Sequence, residues 1–314
     1  MRVVLTGASS FTGFWFARTL AARGVDVVAP LSGARESYSG VRAQRLALLQ
    51  PVCELAFDRP FGSRSFLDFV AAQPAVDVFC HHWSDVRDYR SPDFDALRAL
   101  AQNVRSLPEL LRILRDRTCA GFVLTGSIGE QREGLGQDRR AFSPYGLSKG
   151  LTSDVAAFEC GRAGVAFDKF VIPNPFGPYE EARFTHYLMR TWAAGQMARV
   201  MTPDYVRDNI FADVLAMAYA DFVLSRRDRP AMPPRRLAPS LYAETQGRFT
   251  QRLAGEVKAR TGWACDLHFD TQTDFAEPLS RVNVDPACAL APQWNEAAAW
   301  DGFVTYYLEA LKAA

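Results

Sequence analysis

The hydrophobic pattern of the first half alternates between short apolar runs and longer stretches of helical spacing. "RVVLTG" (2–7) is a β-branched run that meets a turn, which predicts a buried strand. In "TGFWFARTLAARG" (12–24) the apolar positions Phe14, Phe16, Ala17, Leu20 and Ala21 recur with helical period, and Gly24 marks a stop. "VDVVAP" and "PVCELAF" read as the second and third strands, "RSFLDFVAAQ" as a helix and "VDVFCHH" as a fourth strand. "DFDALRALAQNVRSLPELLRILRDR" is helical in period, but Pro108 inside it predicts a kink or a break into two helices. "AGFVLTGS" is a further strand, "PYGLSKGLTSDVAAFECGRAG" a helix with Pro144 in its first turn, and "VAFDKFVIPNP" a strand again.

Strands that are apolar throughout and alternate with helices imply a parallel sheet covered on both faces. Right-handed crossovers then make the fold α/β, a Rossmann-type doubly wound parallel sheet with its ligand crevice at the carboxyl ends of the strands. The second half is less regular. "RFTHYLMRTWAAGQ", "FADVLAMAYADFVLSRR", "YAETQGRFTQRLAGEVKARTG" and "WNEAAAWDGFVTYYLEALKAA" read as helices, and "RDRPAMPPRRLAPS" (227–240) as a loop or linker into a strand. The expected organisation is a dinucleotide-binding domain over residues 1–176, to which some later segments return, and a smaller substrate-binding lobe over 177–314.

Composition narrows the function classes. The chain has 314 residues, 48% hydrophobic and 23% charged, so a full core is expected. The net charge of +1 gives no global field to gather nucleic acid, so any anion site is local. The six cysteines form no CxxC pair and read as thiols of a cytoplasmic protein. The four histidines show no metal spacing, so no metal is expected. "MRVVLTG" is too short for a signal peptide, and no apolar stretch is long enough to span a bilayer, so no membrane partner is expected.

The first candidate chemistry lies in "TGASSFTG". Gly7 and Gly13 stand six residues apart between the first strand and the first helix. Gly7 admits backbone angles closed to other residues, Gly13 lets helix and strand approach, and the helix N-terminus offers free N–H groups to a pyrophosphate. Gly7, Ser9, Ser10, Phe11, Thr12 and Gly13 are therefore the candidate cofactor contacts. Ser10 stands where a dinucleotide loop has its middle glycine, and its hydroxyl is expected to donate to the pyrophosphate. After the second strand no acid meets the ribose hydroxyls; Pro30, Leu31 and Ser32 stand there, with Arg35 close behind. Arg35 pairs with a 2′-phosphate or is a solvated loop arginine, which tilts the cofactor from NAD modestly towards NADP. Asp58 meets the adenine edge or caps the following helix.

The second lies in "SPYGLSKG". Tyr145 and Lys149 are four apart, on one face of a helix. A lysine ammonium beside a tyrosine hydroxyl favours the phenolate and makes it a usable base. Ser127, at the end of "FVLTGS", is positioned to donate a hydrogen bond to a substrate oxygen, with Thr125 as the alternative.

These residues resemble an extended short-chain dehydrogenase/reductase of the NAD(P)-dependent nucleotide-sugar epimerase/dehydratase family, over nearly the whole length. The opening TGxxGxxG matches at Thr6, Gly7 and Gly13 and departs at Ser10. YxxxK matches Tyr145 and Lys149, the strand-end serine Ser127, the helical "NV" pair Asn103, the turn after the sixth strand "PNPFGP", and two later elements "RDNIFAD" and "EPLSRVNVDPACALAPQW". The resemblance implies that Asn174, Arg207 and Arg281 hold the diphosphate of a nucleotide-diphosphate sugar, with guanidinium forks suited to that task. It places His82 and Pro173 beside the cofactor. In "FGPYEEARFTHY", after the Asn174 turn, one of Glu180, Glu181 and Arg183 contacts sugar hydroxyls, or these are solvated loop charges. It further implies a homodimer through the helices that carry Asn103 and Tyr145.

The reaction is narrowed by what stands after Ser127. The family's 4,6-dehydratases carry an Asp–Glu pair there; this chain has Ile128 and Gly129, and Glu130 is one step further and misdirected. The remaining machinery supports reversible hydride transfer at a sugar carbon, C4 by the resemblance. The alternatives are an NADPH-dependent 4-keto reductase, a dehydratase, a non-sugar carbonyl reductase and a non-catalytic dinucleotide-sensing protein. In "FCHHWSDVRDY" the bulky His82 and Trp83 stand where the family has small residues. They reshape the sugar pocket, or His82 titrates near neutral pH as an extra base, or His81 and Trp83 pack at the sheet edge.

Overall fold

The computed structural model describes residues 1–136, 139–227, 233–275 and 277–312. Residues 228–232 of the expected linker and the last two residues of the chain lie outside the described residues. The chain divides into two compact units: residues 1–133, 139–172 and 216–238 form the first, and 134–138, 173–215 and 239–314 the second.

In chain order the first unit contains β1 (Arg2–Leu5), α1 (Phe11–Ala22), β2 (Asp26–Pro30), α2 (Gly40–Leu49), β3 (Glu54–Ala56), α3 (Arg64–Ala72), β4 (Val78–His81), α4 (Ala96–Asn103), α5 (Leu107–Asp116), β5 (Gly121–Ser127), α6 (Pro144–Ala163) and β6 (Phe167–Ile172). The chain then forms β7 (Asn174–Phe176), α7 (Phe184–Ala193), β8 (Ala198–Val200) and β9 (Val206–Phe211) in the second unit. It returns with most of α8 (Ala212–Arg227) and with β10 (Arg235–Leu237) to the first.

The first unit's seven strands run parallel in the order β10-β6-β5-β4-β1-β2-β3. Strand order reverses between β1 and β4, so their carboxyl ends define the crevice expected of a doubly wound sheet. Apolar residues on both faces explain why each strand reads as a continuous run. On one side Val4, Phe79 and Phe122 pack with Leu110, Leu111 and Leu114 of α5. Elsewhere in the core Phe16 of α1 stacks on Tyr219 of α8 with centroids 3.8 Å apart, and Phe170 of β6 meets the same tyrosine edge-on. The edge strand β10 is pinned by charge. Asp168 accepts from Arg226 Nε at 2.6 Å and Arg235 Nε at 3.0 Å, and Asp168 and Arg226 are both buried. Removing one partner from such a pair costs about 3–5 kcal/mol.

Pro108 breaks the long helical pattern rather than kinking it. α4 ends at Asn103, Ser106 takes a left-handed conformation at φ 54°, and Pro108 sits in the first turn of α5, where a missing N–H costs nothing. Local caps set other boundaries: Ser10 caps α1, Ser63 caps α3, Ser143 caps α6, and Gly164 ends α6 at φ 69°.

The second unit continues with β11 (Pro239–Ser240), β12 (Tyr242–Thr245), α9 (Gln246–Thr261), β13 (Leu267–Phe269), β14 (Asp285–Pro286), α10 (Ala287–Leu290) and α11 (Glu296–Lys312). β9 is central in a three-stranded sheet, parallel to β7 and antiparallel to β12; β8 pairs with β13 and β11 with β14. Phe176, Phe211, Tyr242, Trp300 and Phe303 form an aromatic core. The pattern expected as one helix from Tyr242 begins as a strand; Thr245 then caps α9. No helix among the described residues is long and apolar enough to cross a membrane.

Candidate active site

The glycine loop is closed tightly upon itself. Gly7 has φ 77°, and a Cβ there would lie 2.9 Å from Trp83 N; a Cβ on Gly13 would lie 2.2 Å from Gly7 O. Thr6 Oγ1 accepts the N–H groups of His82 at 3.1 Å and Trp83 at 3.0 Å, which ties the exit of β4 beneath the loop. The Ser10 hydroxyl donates to Gly7 O at 2.8 Å, accepts from Gly13 N at 3.1 Å and lies 3.0 Å from His82 Nε2. The expected donation to a pyrophosphate competes with this geometry: the proton goes to the loop's own carbonyl, while the oxygen caps α1 by accepting the Gly13 N–H.

His82 Nε2 also lies 3.0 Å from Thr12 Oγ1. Burial, and then the Lys149 charge, push the His82 imidazole down to about 3. A shift in this direction makes His82 a weak proton acceptor near neutral pH and speaks against its titrating there as an extra base. His81 does not pack at an edge either. It is buried in β4 next to Thr6, 3.0 Å from the Asn103 carbonyl, and stacks on Phe61. Asn103 itself joins Asp85 N at 2.8 Å to Thr152 of α6 at 3.1 Å.

The loop fits a dinucleotide diphosphate. The backbone leaves no room for a Cβ at either glycine, and the first-turn N–H groups of Phe11 and Thr12 have no acceptor within their own helix. A further contribution escaped the sequence reading because α2 was not assigned. Arg45 of α2 is fully buried, and its Nη1 donates to Ser9 O at 3.0 Å.

After β2, Ser32 and Arg35 are exposed. The Arg35 guanidinium lies 4.5 Å from the Phe57 ring centroid and donates to Gln50 at 2.9 Å. Asp58 is exposed at φ 55° and does not cap α3, since Ser63 does; that alternative is corrected.

β5 and α6 bring the loop that follows Ser127 against the first turn of α6, which carries Tyr145. A Cβ on Gly146 would lie 2.2 Å from Gly129 O, so the loop after Ser127 sits directly on the first turn of α6, beside Tyr145. One turn on, Lys149 is buried and its Nζ donates to Thr125 O at 2.7 Å. Burial lowers Lys149 to about 8, opposed by the Glu130 carboxylate and reinforced by Lys169. Ser127 Oγ accepts from Gly129 N at 3.1 Å and the residue is half-buried, whereas Thr125 is buried. Half-buried Tyr145 meets Tyr89 and Phe94 edge-on.

In the second unit, β9 and the 277–283 segment bring Arg207 and Arg281 to neighbouring strands of backbone: Val206 bridges Ser280, and Arg281 N donates to Val206 O at 3.4 Å. Arg207 lies 4.2 Å from the Tyr205 ring centroid and pairs with Glu277 at 2.7 Å. It lines a cleft of about 540 Å³ with Met201, Thr202, Tyr205, Gln246 and Glu277. Arg281 is buried, its stem against Gly134. Asn174 Nδ2 donates to Asp208 O at 3.4 Å. Arg183 starts α7, 3.9 Å from Glu180, and Pro173 is buried just before β7. Glu180 is not a solvated loop charge: it is buried, accepts from Thr185 at 2.9 Å, and burial raises it to about 7.

The model of the NAD dependent epimerase/dehydratase family matches residues 3–230. No curated protein sequence matches the chain. Among solved structures, UDP-glucuronic acid 4-epimerase from Bacillus cereus, in complex with UDP-glucuronic acid and NAD, superposes with a TM-score of 0.74 at 12% identity, covering 99% of this chain and 100% of that one. UDP-glucose-4-epimerase from Stenotrophomonas maltophila, with NAD and formylated UDP-arabinopyranose, gives 0.76 at 16% identity over 100% of both chains. The dTDP-glucose 4,6-dehydratase from Streptomyces venezuelae, with NAD and TYD, gives 0.72 at 17% identity over 100% of this chain and 98% of that one. At these identities the likeness is one of fold, and the family match carries the assignment. The chain belongs to the NAD-dependent epimerase/dehydratase family of enzymes.

Proposed function

We propose that the protein acts on a nucleotide-diphosphate sugar by reversible hydride transfer at C4. The observation that carries this reading is the juxtaposition of the Ser127 loop, Tyr145 and Lys149 at the carboxyl end of β5. A bound nicotinamide supplies the acceptor for the hydride that leaves the sugar carbon. Tyr145 takes the proton of the sugar hydroxyl as a phenolate and returns it on reduction. Lys149 keeps that phenolate accessible by its charge, and Ser127 donates to the sugar oxygen. The loop 7–13 holds the dinucleotide, with His82 bracing Ser10 and Thr12 and Asp58 at the adenine edge. Asn174, Arg207 and Arg281 hold the substrate diphosphate, Arg207 exchanging Glu277 for phosphate, and Arg183 reaches the sugar.

Ile128 and Gly129 leave no acid/base pair for elimination, which favours epimerisation over dehydration. Exposed Ser32 and Arg35 favour the second reading, an NADPH-dependent 4-keto reductase. A homodimer through α4 and α6 accounts for the exposure of Leu97, Leu147 and Phe158, and sedimentation at micromolar concentration tests it. Mass spectrometry of the purified protein separates the two readings: copurified NAD supports the epimerase, and an empty site with NADPH-dependent turnover supports the reductase. Absence of any dinucleotide binding would overturn both.

A further inference from the structure

A buried charge cluster underlies the end of β5. Glu130 is fully buried; its Oε1 accepts the Ser127 N–H at 2.6 Å and its Oε2 meets Lys169 Nζ at 2.6 Å. Lys169 also donates to Glu133 at 2.8 Å, and Glu133 accepts from Arg236 Nε at 2.8 Å. The chain makes room for this with Gly126: a Cβ there would lie 2.6 Å from Lys169 Cε and 3.0 Å from Glu130 Oε1. An ion pair this deep is on average no more stable than apolar packing, so fold stability alone gives little reason for it.

Its placement gives a reason. Glu130 is misdirected for contact with a sugar, as its position after Ser127 implied, but it is turned back onto the backbone of the catalytic serine. We propose that Glu130 is a positioning residue, fixing the catalytic Ser127 through its backbone N–H and anchored in turn by Lys169 of β6. This rests on the Ser127–Tyr145–Lys149 reading above. Without the Glu130 acceptor the Ser127 N–H loses its partner, and the serine loses the fixed position from which it donates to the sugar oxygen.

The test is steady-state turnover with NAD and UDP-glucose or UDP-glucuronic acid as probes, read as kcat and KM separately. Glu130→Asp is too short for the Ser127 N–H and is expected to lower kcat about tenfold at little change in KM. Glu130→Gln keeps an oxygen that can accept this N–H and is expected to retain most of the wild-type kcat; Glu130→Ala, which keeps no acceptor, serves where Glu130→Asp does not fold. Wild-type kcat in the folded variant that lacks the acceptor, or as large a loss in folded Glu130→Gln, overturns the proposal. Tyr145→Phe is measured alongside. If it turns over like wild type, or if wild type turns over neither probe, the functional reading fails and this inference with it. If Tyr145→Phe is inactive and the Glu130 variants match wild type, only this inference fails.

Discussion

Ser10 Oγ and His82 Nε2 lie 3.0 Å apart, joining the first turn of α1 to the exit of β4. The same hydroxyl closes the glycine loop on Gly7 O and caps Gly13 N, so it does structural work that a glycine at this position leaves undone. Ser10→Ala removes all three contacts and is expected to cost about 1 kcal/mol, the usual worth of a helix cap. Urea denaturation reads this as a lower midpoint at unchanged slope. An unchanged midpoint would show that these bonds contribute nothing to stability.

Arg35 follows β2, is exposed, lies 4.5 Å over the Phe57 ring and donates to Gln50; in the proposed function it is the candidate partner of a ribose 2′-phosphate. Charge-assisted bonds of this kind are worth about 1.5–3 kcal/mol. Arg35→Ala is therefore expected to lower the affinity for NADP(H) by about tenfold or more and to spare NAD(H). Isothermal titration with both cofactors gives the ratio; equal losses for both, or none, would remove Arg35 from cofactor selection.

Glu180 gives a pH dependence of stability with a definite sign. Burial raises it from 4.5 in the unfolded chain to about 7 in the fold. Between those values the folded state holds the extra proton, so stability falls as pH rises through this window and is level above it. Glu180→Gln removes that slope while keeping an acceptor for Thr185. Its gain over wild type is expected to be absent near pH 4 and to reach at most about 3 kcal/mol near pH 8. Urea midpoints at the two pH values check this; a variant equally or less stable at both would contradict the buried, proton-retaining state of Glu180.

Much of the first unit's architecture was legible because its strands are buried on both faces and therefore read as unbroken apolar runs, as Val3, Val4 and Leu5 do. Pro108 likewise announced a kink or a break, and the structure shows the break. α2 was missed because its buried side includes Arg45, a residue that erases an apolar stripe from the pattern. β12 was hidden because "YAET" runs into a helix without a break in polarity, and the cap at Thr245 separates them only in three dimensions. At the site, the positions of Gly7, Gly13, Ser127, Tyr145 and Lys149 on their elements followed from local spacing. What these residues touch did not. Glu130 meets Lys169 across 39 positions of sequence, and His82 meets Ser10 across 72. Nothing in a local window ties such partners to each other.

The central claim is that Tyr145, supported by Lys149 and Ser127, moves the proton while hydride leaves and returns at C4 of a nucleotide sugar. NMR of UDP-glucose and UDP-glucuronic acid incubated with the protein and NAD follows the configuration at C4 directly. The account predicts that wild type produces the C4 epimer of at least one of them, and that Tyr145→Phe binds NAD equally well but produces none. Epimer formed by Tyr145→Phe at the wild-type rate would contradict it.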